Sequence, residues 1–207
     1  MLCLKVGTDA EWACAAVGRI DAVLIDHAHC EMKAASNAFS LATRYREDAD
    51  LVRVLTDLAG EEREHFDRVR ALLEARGGTL GAPTVDAYAA GLRRASRALP
   101  HGPVSTPLVD RLLVAAIIEA RSCERFKLLA DAATSEVGQR EVAALWEELF
   151  AAEAGHYRTF VDLALRVGHG DRRRVVTRLE RLAEAEAAIV TALARRDAPS
   201  ERATIHG

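Results

Sequence analysis

Six side chains in this 207-residue chain have types and spacings that could act together on a metal. They are Glu31, Glu62 with His65, Glu119, and Glu153 with His156. The order is Glu, Glu-x-x-His, Glu, Glu-x-x-His. On a helix, residues three apart share a face one turn from each other, so each Glu and its His can reach the same centre. Carboxylates can bridge two cations, and a neutral imidazole can cap one of them. Mixed oxygen and nitrogen ligation without a thiolate suits iron or manganese better than zinc or copper. Spacing alone does not separate iron from manganese. Four carboxylates facing two divalent cations sum to zero charge. That removes the cost, several kcal/mol or more per ion, of burying an unpartnered carboxylate.

The surroundings of these residues carry the argument. Written at alternating spacings of four and three, the first long helix gives Leu24, Ala28, Glu31, Ala35, Ala38, Ala42, Tyr45. The second gives Leu51, Leu55, Leu58, Glu62, His65, Val69, Leu72. The third gives Val109, Leu112, Ala116, Glu119, Cys123, Phe126, Ala130, and the fourth Val142, Trp146, Leu149, Glu153, His156, Phe160, Leu163, Val167. Such a seam faces a bundle core. Each is otherwise apolar or small, apart from the amphipathic Tyr45, and each is interrupted by a carboxylate at its middle. The third helix offers a choice. Cys123-Glu124 echoes Cys30-Glu31, which argues for Glu124. A face centred on Glu124 also shows Arg121, Lys127 and Asp131, whereas Glu119 shares its face with Leu112, Ala116 and Phe126. The seam therefore selects Glu119 and leaves Glu124 as a supporting or surface group.

The elements that must position these residues follow from the punctuation. Thr8-Asp-Ala-Glu11 reads as a capping box opening a short helix that Gly18 interrupts. Long helices are expected over about 19–45, 48–76, 107–133 and 139–167. The second stops at Gly77-Gly78 and the fourth at Gly168-His-Gly170. Four of the five prolines fall in 79–107, which holds one short helix over about 85–98. An amphipathic helix over about 171–196 presents Val175, Leu179, Leu182, Glu186, Ile189 and Leu193, and a frayed tail covers 197–207. Short links join the first and second long helices and the third and fourth; a long one joins the second and third. The expectation is an all-α, ferritin-like four-helix bundle with one long crossover connection and an additional C-terminal helix. It is read as a single domain over 1–207, with the core bundle at about 19–167.

Composition agrees and excludes. Forty Ala, 24 Leu and few prolines favour long helices. No apolar stretch reaches the ~18 residues that span a bilayer, so no membrane role is expected. The start of the chain is too quickly polar for a signal peptide. Cys3, Cys14, Cys30 and Cys123 form no CxxC pair and read as thiols of a reduced, cytoplasmic protein. The net charge of −3 excludes gripping nucleic acid by bulk charge but leaves room for a local patch. Without the four seam carboxylates, 27 acids face 28 bases.

Leu24-Ile-Asp-His-Ala-His-Cys-Glu-Met-Lys-Ala-Ala35 and Ile118-Glu-Ala-Arg-Ser-Cys-Glu-Arg-Phe126 resemble the MiaE family, together with Glu61-Glu-Arg-Glu-His65 and Glu153-Ala-Gly-His156. These are tRNA-(ms2io6A)-hydroxylases, di-iron members of the ferritin-like superfamily. The resemblance spans about residues 20–165. It implies hydroxylation of the isopentenyl group of 2-methylthio-N6-isopentenyl-adenosine, next to the anticodon in the tRNA anticodon stem-loop. It further implies that Glu31, Glu62, His65, Glu119, Glu153 and His156 hold two iron ions and that O2 is the co-substrate. Two electrons would come from a separate electron-donating reductase, since no stretch reads as a flavin or NAD site. The oligomeric state is left open. The competing reading is a ferritin-like or rubrerythrin-like ferroxidase or peroxidase without a tRNA substrate.

Around the six residues, Asp26, His27 and His29 could orient a ligand, as could Glu124. Arg121 and Arg125 read as salt-bridge partners. Candidate phosphate contacts are Arg44 and Arg46 at the first turn, Arg93, Arg94 and Arg97 in the short helix, and Arg172, Arg173 and Arg174 at the start of the last.

Overall fold

A computed structural model of the chain describes residues 2–100, 102, 106–134, 136, 138–169, 171–196 and 205. They form helices α1 (Ala10–Val17), α2 (Ile20–Arg44), α3 (Ala49–Ala75), α4 (Ala87–Ala98), α5 (Pro107–Thr134), α6 (Arg140–Val167) and α7 (Arg172–Arg196). No strand occurs among the described residues. No helix among them is long and apolar enough to cross a membrane. The tail read as frayed lies outside the described residues except for Ile205. The chain divides into two compact units. One holds 18–85 and 203–205; the other holds 1–17, 86–202 and 206–207.

The first unit is the antiparallel pair α2–α3. Asp48 caps α3 by accepting from the Leu51 amide at 3.0 Å. The chain leaves α3 through Gly77 at φ 81°, a left-handed geometry that glycine adopts without strain. Leu24, Ala28, Glu31, Ala38 and Ala42 of the predicted α2 seam are buried, as are Leu51, Leu55, Leu58, Glu62, His65 and Val69 of α3. Asp26 accepts from Thr84 Oγ1 at 2.6 Å and from the Ile205 amide at 2.7 Å. His29 Nε2 lies 3.3 Å from the Gly81 carbonyl. These contacts pin the segment after α3, and Ile205, to α2.

In the second unit α5 and α6 are the long antiparallel pair. Phe126 and Trp146 stack with ring centroids 5.2 Å apart and planes 16° from parallel. Every residue of the predicted α5 seam is buried, and so is the α6 seam from Val142 to Leu163. Helices α4 and α7 pack together. Arg178 is buried and reaches Asp110 at 2.8 Å through both Nε and Nη2, the Ser96 carbonyl at 2.9 Å and the Pro100 carbonyl at 3.0 Å. One guanidinium thus ties α7 to α5 and to the end of α4. Asp86 caps α4 by accepting from the Ala89 amide at 2.9 Å.

Two expectations need correction. The capping box at Thr8 does not form. Thr8 gives its amide and hydroxyl to Glu124, at 2.6 and 2.7 Å, and Asp9 accepts from the Glu11 amide instead. The half-buried Glu124 carboxylate, paired with Arg121, takes these donors in place of a local cap. The seams also slip at their ends. Leu73 is buried in place of Leu72 and Val190 in place of Ile189, and Val167 at the end of α6 is only half-buried. A straight helix drifts about 20° per heptad against a 3.5-residue repeat, so a seam written over three heptads ends one residue out.

Candidate metal centre

Within the first unit the structure brings Glu31, Glu62 and His65 together. All three are buried. His65 Nδ1 lies 3.6 Å from Glu62 Oε2 and 3.8 Å from Glu31 Oε2. The antiparallel register explains the level. The Arg76–Asp21 bond at 2.6 Å sets the pairing of α3 on α2, and the same pairing places residue 65 beside residue 31. A contact that the sequence left among three candidates is now specific. His27 Nε2 lies 2.7 Å from Glu31 Oε1, with both side chains about 3% exposed. Asp26 and His29, predicted to orient a ligand, spend their polar atoms on Thr84, Ile205 and Gly81. The signal for His27 was its i, i+4 spacing to Glu31.

Within the second unit Glu119, Glu153 and His156 are buried. His156 Nδ1 lies 3.6 Å from Glu153 Oε2, the same distance as in the Glu62–His65 pair. Stacking of Phe126 on Trp146 fixes the register of α5 on α6. Counting seven residues back along α5 and seven forward along α6 reaches Glu119 and Glu153, which therefore stand at one level. Glu124 stands at another level, and its carboxylate is occupied. One oxygen takes the Thr8 amide; the other takes the Thr8 hydroxyl and Arg121 Nη1 at 2.7 Å.

Sequence reasoning missed what stands behind Arg121. This guanidinium is fully buried and also meets Glu186 of α7 at 2.7–2.8 Å. Tyr88 donates to the same Glu186 oxygen at 3.0 Å. Burial works against the Arg121 charge, but Glu186 and Glu124 outweigh it and raise its pKa. Arg125 has less compensation. Burial, with Arg121 nearby, lowers it to about 10, while its guanidinium stacks 4.8 Å from the Trp12 ring centre. Burial, with the Glu153 charge next in weight, raises the Cys123 thiol to about 11. The candidate phosphate contacts lie on the surface. Arg44 and Arg46 are exposed in the first unit. Arg93, Arg94, Arg97, Arg172, Arg173 and Arg174 are exposed in the second, where Arg174 also pairs with Asp171 at 3.1 Å.

The donor sets suit hard or borderline divalent metals. Of the six predicted ligands, each unit holds two carboxylates and one imidazole, all buried, with no thiolate in the set. Glu153 Oε2 is buried and has no hydrogen-bond donor among the described residues. Its one ion-pair contact among them is His156. A buried carboxylate oxygen so placed is matched by a cation.

A fold of paired long helices carrying Glu and Glu-x-x-His on their buried faces defines a class: the ferritin-like carboxylate-bridged metal proteins. The solved structure described as "Protein 43 with aldehyde deformylating oxygenase activity from Synechococcus" is similar, with TM-score 0.84 and 35% identity. The match covers all of this chain and 96% of that one. The family model described as tRNA-(MS[2]IO[6]A)-hydroxylase (MiaE) matches residues 1–198, and the chain belongs to that family. It is 39% identical over 183 residues to the tRNA 2-(methylsulfanyl)-N(6)-isopentenyladenosine(37) hydroxylase of Pseudomonas putida, covering 88% of this chain and 84% of that protein. The Salmonella typhimurium protein of the same name is 33% identical over 64% of this chain and 45% of its own length. The family is one of di-iron oxidoreductases, and buried glutamates and histidines are groups of the kind that can hold iron.

Proposed function

We propose that this chain hydroxylates the isopentenyl side chain of 2-methylthio-N6-isopentenyl-adenosine next to the anticodon of tRNA, as a cytoplasmic single-domain enzyme. The observation that carries this reading is the pair of buried Glu and Glu-x-x-His sets in a member of the MiaE family. Glu31, Glu62 and His65 would serve with Glu119, Glu153 and His156 as the ligands of two irons. When bound, the metals supply O2 activation and transfer of one oxygen atom into a C–H bond, with two electrons from a separate reductase.

The chain's own residues do the rest. Buried carboxylates set the charge of the site. The apolar neighbours on the four seams, Leu24, Leu58, Leu112 and Leu149 among them, limit water around it. Arg178 fixes the packing of α4, α5 and α7 and so holds the arginines of α4 and α7 on a rigid base. Those arginines, with Arg44 and Arg46, offer bidentate donors to the phosphates of a tRNA stem-loop.

The test is direct. Iron-loaded protein, a reductant and O2 are incubated with tRNA bearing the isopentenyl nucleoside, and the digested nucleosides are weighed. One added oxygen on that nucleoside supports the reading; an unchanged nucleoside alongside rapid iron oxidation favours the ferroxidase reading. A second reading comes from the Synechococcus protein, whose description names aldehyde deformylating oxygenase activity. A long-chain aldehyde offered to the same preparation separates the two.

A further inference from the structure

Helix α2 carries an outer face that the candidate metal centre does not use. Met32 there is 41% exposed and Phe39 52%, which makes Phe39 the most exposed Phe, Tyr or Trp among the described residues. Met32, Ser36, Phe39 and Thr43 recur at helical spacing, so they form one row along the helix, and all are exposed. The adjoining row is Lys33, Asn37, Ser40 and Arg44. Arg46 follows in the turn, and no Asp or Glu occurs from 32 to 46. Glu47, 3.4 Å from Arg46, ends this basic stretch.

The residues one turn either side of Phe39 are Ala35, Ser36, Ala42 and Thr43. None is long enough to cover an aromatic ring, so the ring stands above its neighbours on the helix. An uncovered ring on a helix face with cations and no acids has the parts of a single-stranded RNA contact. A base can stack on the ring, and the charges beside it can take the phosphates. Lys33 and Arg44 lie on either side of Phe39, about 16 Å apart along the axis. Other occupants fit less well. Two copies of the chain, meeting with their α2 helices antiparallel about a two-fold axis near Phe39, would bring Lys33 toward Arg44 with no acid in the stretch to offset them. Two large apolar side chains also fall far short of the roughly 800 Å² per partner that a stable protein interface buries.

We propose that this face of α2 is a platform for the unpaired loop of an RNA. Phe39 stacks on a base, Met32 extends the apolar surface, and Lys33, Arg44 and Arg46 take the flanking phosphates. The inference rests on the reading of a tRNA stem-loop as substrate. It adds to that reading the residues that tell a loop from a duplex, since surface cations alone contact the phosphates of either.

The test uses the full iron-loaded chain, kept anaerobic to prevent turnover, and two probes: tRNA bearing the isopentenyl nucleoside and a blunt RNA duplex. Circular dichroism checks folding. Phe39→Ala should bind the tRNA about 5–150-fold more weakly, the loss of one stacked base, and should bind the duplex as wild type does. Phe39→Tyr should keep wild-type affinity for both. Trp12 and Trp146 are buried, so tRNA should quench the added emission of Phe39→Trp beyond any change seen in wild type. Equal tRNA affinity in wild type and Phe39→Ala, an equal loss on both probes, or an unquenched Phe39→Trp would overturn the proposal. An RNA-free oligomer that Phe39→Ala dissociates, read by sedimentation, would give the face to a second copy and overturn it too. So would full tRNA binding by Phe39→Ala with loss of reductase-driven turnover, which would give the face to the electron donor. Failure of wild type to bind the tRNA would instead overturn the tRNA reading, and this inference with it.

Discussion

Glu119 and Glu124 lie on the same helix at different levels, and only one is proposed to serve the centre. Replacing each by Gln separates their roles. Glu124 accepts from the Thr8 amide, the Thr8 hydroxyl and Arg121 Nη1, all at 2.6–2.7 Å. An amide keeps one acceptor and turns an NH2 toward donors, so at least one charge-assisted bond is lost. Such bonds are worth roughly 1.5–3 kcal/mol each, and Arg121 keeps Glu186 as a partner. Glu124→Gln should therefore cost about 2–3 kcal/mol. At roughly 2–4 °C per kcal/mol for a chain of this size, the melting midpoint falls by about 4–12 °C. Iron content should not change. Glu119→Gln removes a buried negative charge, so the metal-free protein should melt within about 1 kcal/mol of wild type or above it. Its iron content and hydroxylation should collapse. Differential scanning calorimetry on metal-free protein, paired with iron analysis after loading, reads both effects. The opposite pattern, iron lost in Glu124→Gln and stability lost in Glu119→Gln, would refute the register argument built on Phe126 and Trp146.

Further outcomes follow from single contacts. Asp26→Ala should lower the melting midpoint by about 5–15 °C and speed hydrogen exchange at the Ile205 amide and through residues 79–85, because two bonds to a carboxylate are lost; unchanged exchange would show that Asp26 is not the clasp. Arg121→Met should cost about 3–5 kcal/mol by removing the guanidinium that pairs with buried Glu186 and with Glu124, and adding Glu186→Leu should return part of it; a denaturant titration measures both. At pH 8 iodoacetamide should label exposed Cys14 well before Cys123. A thiol raised to about 11 is ionised to about one part in a thousand at that pH, and its thiolate fraction grows only as pH approaches 11.

Much of this was legible in the sequence because the signals were periodic. Long amphipathic helices declare themselves, and a carboxylate interrupting an apolar seam stands out only against that seam. The boundaries of all six long or short helices after α1 fall within about two residues of the expectation, since Asp48, Asp86, Gly77 and the prolines mark them. What stayed hidden depended on partners distant in sequence. Thr8 looked like a helix cap until the Glu124 carboxylate, 116 residues away, claimed it. Glu186 was named only as one residue of an amphipathic face, and its partners Arg121 and Tyr88 lie 65 and 98 residues away. Choosing His27 over Asp26 and His29 needed side-chain directions, which three polar neighbours on one helix do not reveal by type.

The proposed function requires that the Glu and Glu-x-x-His sets of the chain hold two irons. Anaerobic iron(II) titration of the purified chain, read by Mössbauer spectroscopy after oxidation, tests this most directly. The account predicts saturation at about two irons per chain, coupled to one another, and loss of that coupled pair in both Glu62→Ala and His156→Ala while the helical signal remains. A wild-type protein that binds no iron, or binds isolated uncoupled irons untouched by those two substitutions, would contradict it.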